Sequence, residues 1–205
     1  MSNSGHRAPL SDVQLRVKAL ESILKEKGLV EPAAPDAIID NYENKVGPHL
    51  GAQLVARAWT DPDFKQKLLT DGEATIAEAG MGGIEGTHII VKENTPLVHN
   101  IIVCTLCSCY PWSLLGLPPT WYKSTPYRAM AIRDPRGLLL EFGLAISDER
   151  EVRVWDSNAE IRYLVLPMRP EGTQDLSVEE LAAMVHRDAM IGTGIVSGDV
   201  ARLIR

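Results

Sequence analysis

All three cysteines of this 205-residue chain fall in one window of six residues, Cys104-Thr105-Leu106-Cys107-Ser108-Cys109. An odd cysteine count without a secretory leader does not describe a disulfide framework. Thiols gathered this tightly in a reducing compartment point to a metal or to redox chemistry. The window follows Val98-His99-Asn100-Ile101-Ile102-Val103, whose Ile and Val content suits a strand. Any fold of this chain must therefore hold a strand that leads straight into the cysteines.

The spacing leaves several arrangements open. Cys104 and Cys107 can form a thioredoxin-like disulfide, which leaves Cys109 unexplained. Structural zinc needs a fourth ligand and usually draws on two separated cysteine pairs; His99 is the only histidine nearby. An iron–sulfur cluster needs a fourth cysteine in most cases. A further arrangement recruits the backbone. If the amide nitrogens of Ser108 and Cys109 bind together with the sulfurs of Cys107 and Cys109, small chelate rings close into one plane. Cys104 then adds an axial sulfur, and one position stays open for water or substrate. Amides release their protons only to a strongly Lewis-acidic ion, so that arrangement implies trivalent cobalt or iron; soft sulfur ligands agree with it.

The first part of the chain reads as helix. Ser11 and Gln14 have capping-box spacing, Val13, Val17, Leu20 and Leu24 form a narrow apolar stripe, and Gly28 is a suitable stop. Further helices are predicted from Asp36 to Val46, from Leu50 to Trp59, from Asp61 with Pro62 through Leu69, and from Ala74 to Ala79. Beyond Gly80-Met81-Gly82-Gly83 the pattern changes. His88–Lys92 and Val98–Val103 read as strands, Tyr127–Arg133 and Pro135–Phe142 as short helices. Glu151–Trp155 and Ile161–Leu166 read as two strands joined by the turn-prone Asp156-Ser157-Asn158. A capping box at Ser177 and Glu180 opens a last helix to about Met190. The fold class is α+β: a helical N-terminal arm, then a layered α-β-β-α domain carrying the cysteine loop. The division expected is 1–80 for the arm and helices and 81–205 for the α+β metal-binding domain. The narrow arm has too little apolar face to stand alone, and should lie against its own domain or a partner chain.

A net charge of -6 argues against nucleic acid as the main partner. No uninterrupted apolar span is long enough to cross a bilayer. Met1–Pro9 reads as a polar tail, so the expected location is the cytoplasm.

Val103-Cys104-Thr105-Leu106-Cys107-Ser108-Cys109-Tyr110-Pro111-Trp112 resembles the metal-binding signature of nitrile hydratase alpha subunits. The resemblance runs from about Leu15 to Gly192. It includes Arg16-Val17-Lys18-Ala19-Leu20-Glu21, Val46-Gly47-Pro48, Gly116-Leu117-Pro118-Pro119, Val154-Trp155-Asp156-Ser157 and Met190-Ile191-Gly192. Thr105 and Tyr110 match the cobalt-type members, where iron forms usually carry Ser and Thr.

The resemblance implies a non-corrin Co(III) centre, with Fe(III) as the alternative, held by Cys104, Cys107, Ser108 and Cys109. It implies that Cys104 is the axial thiolate, Cys107 a sulfinic acid and Cys109 a sulfenic acid, with Ser108 and Cys109 lending amide nitrogens. Arginines of a beta subunit would satisfy the added oxygens, so the chain works in a heterodimer or heterotetramer. A cobalt-insertion accessory protein is a further implied partner. The implied reaction is hydration of a small nitrile to an amide, with Cys109, Ser108, Tyr110 and Trp112 as candidate catalytic residues. In this reading Trp112 lines the substrate pocket, with core packing as its alternative, and Tyr110 orients the loop by a hydrogen bond. The related cobalt-containing subunit of thiocyanate hydrolase is the competing family. His49 and His186 read as structural or surface residues, His88 and His99 as neighbours of the site, and Asp156 with Arg162 as a charge pair supporting the loop, with solvated surface charge as the default alternative.

Overall fold

The structure, a computed structural model, describes residues 11–31, 33, 46–81 and 88–198. The tail Met1–Pro9 and the helix expected from Asp36 into the 40s lie outside the described residues. The chain divides into two compact units between Glu43 and Asn44.

In the first unit, α1 spans Asp12–Glu26 and begins as the spacing predicts. The Ser11 hydroxyl accepts the Gln14 amide at 3.3 Å, and the Gln14 carboxamide accepts the Ser11 amide at 2.8 Å. Two orphan donors of the first turn are thereby satisfied. None of its residues is buried; Val13, Val17 and Leu20 present their stripe to solvent.

The second unit opens with α2 (Pro48–Thr60), α3 (Pro62–Thr70) and α4 (Gly72–Glu78). Pro48 and Pro62 each sit in a first helical turn, where a missing N–H costs no hydrogen bond. Asp61 and Asp71 cap the two helices that follow them. Sequence patterning groups these helices with the arm. In the structure Leu54, Leu68 and Ile76 share one core with Ile89, Val91 and Leu164, so they belong to the body that carries the strands. Apolar faces are buried by whichever layer is nearest in space, which composition along the chain does not record.

Strands β1 (His88–Glu93) and β2 (Val98–Val103) follow. Next come α5 (Trp112–Leu115), a 3-10 turn over Thr120–Lys123, α6 (Thr125–Arg133) and α7 (Pro135–Glu141). The chain continues through β3 (Glu151–Asp156), β4 (Ile161–Leu166), α8 (Val178–Met184) and α9 (Arg187–Ile191). The strands form two sheets of two, both parallel: β1 with β4, and β2 with β3. The segment Asp156–Asn158 leads from β3 toward β4, as expected, and crosses from one sheet to the other. β2 touches β4, α3, α4 and α9 cover the β1–β4 sheet, and α6 and α7 cover the β2–β3 sheet. The layered α-β-β-α arrangement is therefore present.

The last predicted helix is two. Val185 is extended, and the His186 ring accepts the Ala189 amide at 3.3 Å, so the histidine caps a fresh helix. Gly192 ends it at φ +94°, where a Cβ would stand 2.0 Å from the Asn100 carbonyl oxygen. Only glycine lets α9 approach β2 this closely.

Candidate metal centre

β2 is buried from His99 to Val103 and delivers Cys104, itself fully buried, to the end of its sheet. Val103 lies in register with Asp156 on β3. Asp156 accepts the Thr105 backbone N–H at 2.9 Å and its hydroxyl at 2.6 Å, one on each carboxylate oxygen. This bidentate grip turns the chain sharply out of the strand. Leu106 and Cys107 are exposed; Ser108 and Cys109 are half-buried as the chain returns. At Tyr110 the chain re-enters the core.

The turn brings the three sulfurs together. The Cys104 sulfur accepts the Cys107 backbone N–H at 3.2 Å. The sulfurs of Cys104 and Cys107 are 3.5 Å apart, those of Cys107 and Cys109 3.1 Å, and all three lie within 4.8 Å of one another. All three thiols are free. Hydrogen bonds from the Cys109 and Cys104 thiols, and from the Ser108 backbone, pull the Cys107 thiol down to about 7. Burial pushes the Cys109 thiol up to about 12, helped by its role as donor to Cys107 and opposed by the charge of Arg162. Cys107 thus ionises before Cys109 and is held by its neighbours.

This donor set can be tested against a metal. Among the described residues no fourth His, Cys, Asp or Glu joins the three thiols, so a tetrahedral all-side-chain site is incomplete. The backbone N–H groups of Ser108 and Cys109 add to the lowering of the Cys107 thiol. Three sulfurs this close together fit a metal held by soft ligands.

The loop rests on aromatic rings that no motif in the sequence singles out. Tyr122 donates its hydroxyl to the Cys109 carbonyl at 2.9 Å, and Tyr127 to the Ile102 carbonyl at 2.7 Å. Their rings pack 5.6 Å apart, Trp121 stands edge-on to Tyr127 at 4.9 Å, and Phe142 closes on Trp121 at 4.8 Å. The only sequence signal for this floor is a run of aromatics after Pro118-Pro119, which does not say what they face. Tyr110 does not play the part expected of it. Its ring is fully buried edge-on to Tyr122 at 5.1 Å, and its hydroxyl has no hydrogen-bond partner among the described residues. Burial raises that phenol well above the ordinary tyrosine range.

Trp112 opens α5 and is half-buried against the core. The expected pairing of Asp156 with Arg162 gives way to other partners: Asp156 holds Thr105, and Arg162 donates to the Asn158 carbonyl. His99 is fully buried, with Nε2–H donating to the Gly192 carbonyl at 2.7 Å and Asn94 3.5 Å from Nδ1. His88 is exposed and pairs with Glu73.

The family profile described as nitrile hydratase, alpha chain, matches residues 11–194. The chain belongs to this family. A low-molecular weight cobalt-containing nitrile hydratase subunit alpha from Rhodococcus rhodochrous is 55% identical over 184 residues, covering 90% of this chain and 89% of that one. Thiocyanate hydrolase subunit gamma from Thiobacillus thioparus is 38% identical, covering 91% of this chain and 81% of that one. In three dimensions the chain superposes on a double mutant of an Fe-type nitrile hydratase from Comamonas testosteroni. That match has a TM-score of 0.86 at 40% identity, with 94% of each chain covered. The resemblance to cobalt-type alpha subunits seen in the cysteine motif therefore extends over the chain.

Proposed function

We propose that this chain is the alpha subunit of a cobalt nitrile hydratase, converting R–C≡N and water to R–C(=O)NH₂. The observation that carries the reading is the convergence of the Cys104, Cys107 and Cys109 thiols with no fourth side-chain ligand among the described residues. Cys104, Cys107 and Cys109 would hold Co(III) through sulfur, and Ser108 and Cys109 through their amide nitrogens; Fe(III) is the alternative ion, as the Fe-type structural relative indicates. Such an ion supplies Lewis acidity toward a nitrile or a water.

The chain's own groups do the rest. Cys104 is sealed in the core, where its sulfur stays out of water. Cys107 and Cys109 lie on the solvent side, where oxidation to sulfinic and sulfenic acids is open to them. The sulfenate oxygen of Cys109 is the candidate nucleophile or base. Ser108 stands between them and would lend its amide nitrogen, Tyr110 is a buried wedge under the loop, and Trp112 beside it is the candidate pocket wall. The exposed oxygens need donors from outside, which a beta subunit would provide in a heterodimer or heterotetramer. An accessory protein for cobalt insertion and a cytoplasmic location complete the reading. No helix among the described residues is long and apolar enough to cross a membrane.

The 38% identical thiocyanate hydrolase subunit supports a second reading, hydrolysis of thiocyanate at a similar centre. The higher identity to the nitrile hydratase subunit favours the first. The test is to co-produce the chain with its beta subunit in cobalt medium and purify the complex. Its metal is then measured, the peptide spanning Cys104–Cys109 weighed, and both an aliphatic nitrile and thiocyanate offered. Cobalt, added oxygen and amide formation are the expected results. Stoichiometric zinc on unoxidised thiols sinks the proposal, and turnover of thiocyanate alone transfers it to the second reading.

A further inference from the structure

Two adjacent residues at the end of β3 lie against the cysteine loop. Asp156 grips Thr105 where the loop leaves β2. Ser157 donates its backbone N–H to the Val103 carbonyl at 2.7 Å, which seats it under the loop, and it is fully buried. Its side chain acts on the hydroxyl of Tyr122, which donates to the Cys109 carbonyl at the loop's exit at 2.9 Å. Behind it, the Tyr163 backbone N–H of β4 donates to the Ser157 oxygen at 3.4 Å. Two hydrogen bonds are thus set here, Tyr163 N–H to Ser157 and Tyr122 to Cys109, in a core that excludes water.

Tyr122 cannot swing away from this line. Its side chain is fully buried, with Tyr110, Tyr127 and Trp121 around its ring at 5.1, 5.6 and 6.2 Å. Residues 104–111 form no helix or strand, so Cys109 has no ladder of backbone bonds to fix it. Tyr127, equally buried, donates instead to Ile102, whose place is already set by pairing with Trp155.

We propose that Tyr122, oriented by Ser157, is a positioning residue that fixes where the Cys109 sulfur stands relative to Cys104 and Cys107. Its phenol touches no sulfur; it acts through the Cys109 carbonyl. Tyr127 braces the core without placing a thiol. The role in cobalt retention rests on the nitrile hydratase reading, whereas the role in placing the thiol does not.

The test compares Tyr122→Phe, Ser157→Ala and Tyr127→Phe in the full chain, co-produced with its beta subunit. In the metal-free protein, iodoacetamide labelling of Cys109 relative to Cys107 is read by mass spectrometry. Loss of one buried hydrogen bond should raise that ratio on the order of tenfold in Tyr122→Phe. Ser157→Ala should move it less in the same direction. Tyr127→Phe should lower the melting temperature and leave the ratio at the wild-type value. In the cobalt-loaded protein, a chelator should strip Tyr122→Phe about tenfold faster, with a shifted sulfur-to-cobalt absorption band. An unchanged labelling ratio in both Tyr122→Phe and Ser157→Ala overturns the proposal, as does an equal rise in Tyr127→Phe, which would mean general loosening. A wild-type complex that takes no cobalt and hydrates no nitrile removes the hydratase reading alone, because the labelling comparison still decides the part played by Tyr122.

Discussion

Cys107 and Cys109 stand two residues apart, yet their thiols are moved in opposite directions, to about 7 and about 12. The difference is local: Cys107 collects donors, while Cys109 is half-buried and its hydrogen bond to Cys107 favours the protonated thiol. Replacing Cys109 by Ser keeps the volume but removes a soft ligand. We expect Cys109→Ser to abolish nitrile hydration and cobalt retention, checked by metal content and amide formation; an active, cobalt-loaded variant would count against the assignment. The Thr105–Asp156 pair is tested by Thr105→Val, which keeps the shape and deletes the hydroxyl bond. Because both residues are exposed, the loss of stability should be about 1 kcal/mol at most, read from thermal unfolding. Cobalt release should quicken far more than that figure suggests, since the loop and not the core takes the damage.

His99 ties β2 to α9 through the Gly192 carbonyl, and both partners depend on the close approach of these elements. Burial lowers the His99 pKa from its ordinary 6.5, with the Gly192 carbonyl opposing and the Arg150 charge adding to the fall. The unfolded chain therefore takes up a proton near 6.5, and the folded chain only at lower pH. Stability is full above the ordinary histidine range and is lost as pH falls through it toward the folded value. Denaturant midpoints between about pH 7.5 and about pH 5.5 should show this fall, and His99→Gln should flatten it. Gly192→Ala meets both a left-handed φ and the Asn100 oxygen. A loss of about 3 kcal/mol or more is expected from strain and clash together, measured by the same midpoints.

A metal that binds the folded chain and not the unfolded one stabilises the whole molecule. Removing it should lower the melting temperature of the complex, and re-adding cobalt should restore it. The loop spans the exit of β2, the end of β3 and the aromatic floor, so its loss should be felt through both the β2–β3 sheet and the helices over it. The chain made without its beta subunit should keep unoxidised thiols and hydrate no nitrile, by peptide mass and by assay. The alpha-subunit relative and the bare solvent face of Cys107 both lead to that expectation.

Much of this protein is legible in its amino-acid sequence. Capping boxes at Ser11 and Ser177, prolines in first turns and the Ile- and Val-rich strands are local signals, and local signals act over a few residues of chain. The cysteine cluster is legible for the same reason, since Cys104 to Cys109 are near in space because they are near in sequence. Contacts between distant segments are not. The parallel pairing of β1 with β4 and of β2 with β3, the cap that His186 forms between two helices, and the Tyr122–Cys109 bond beneath the loop each need the packed core to bring them together. Asp156 can be named as a support for the loop from its place in the chain. That it holds Thr105, and not Arg162, is decided only when β3 takes its register beside β2.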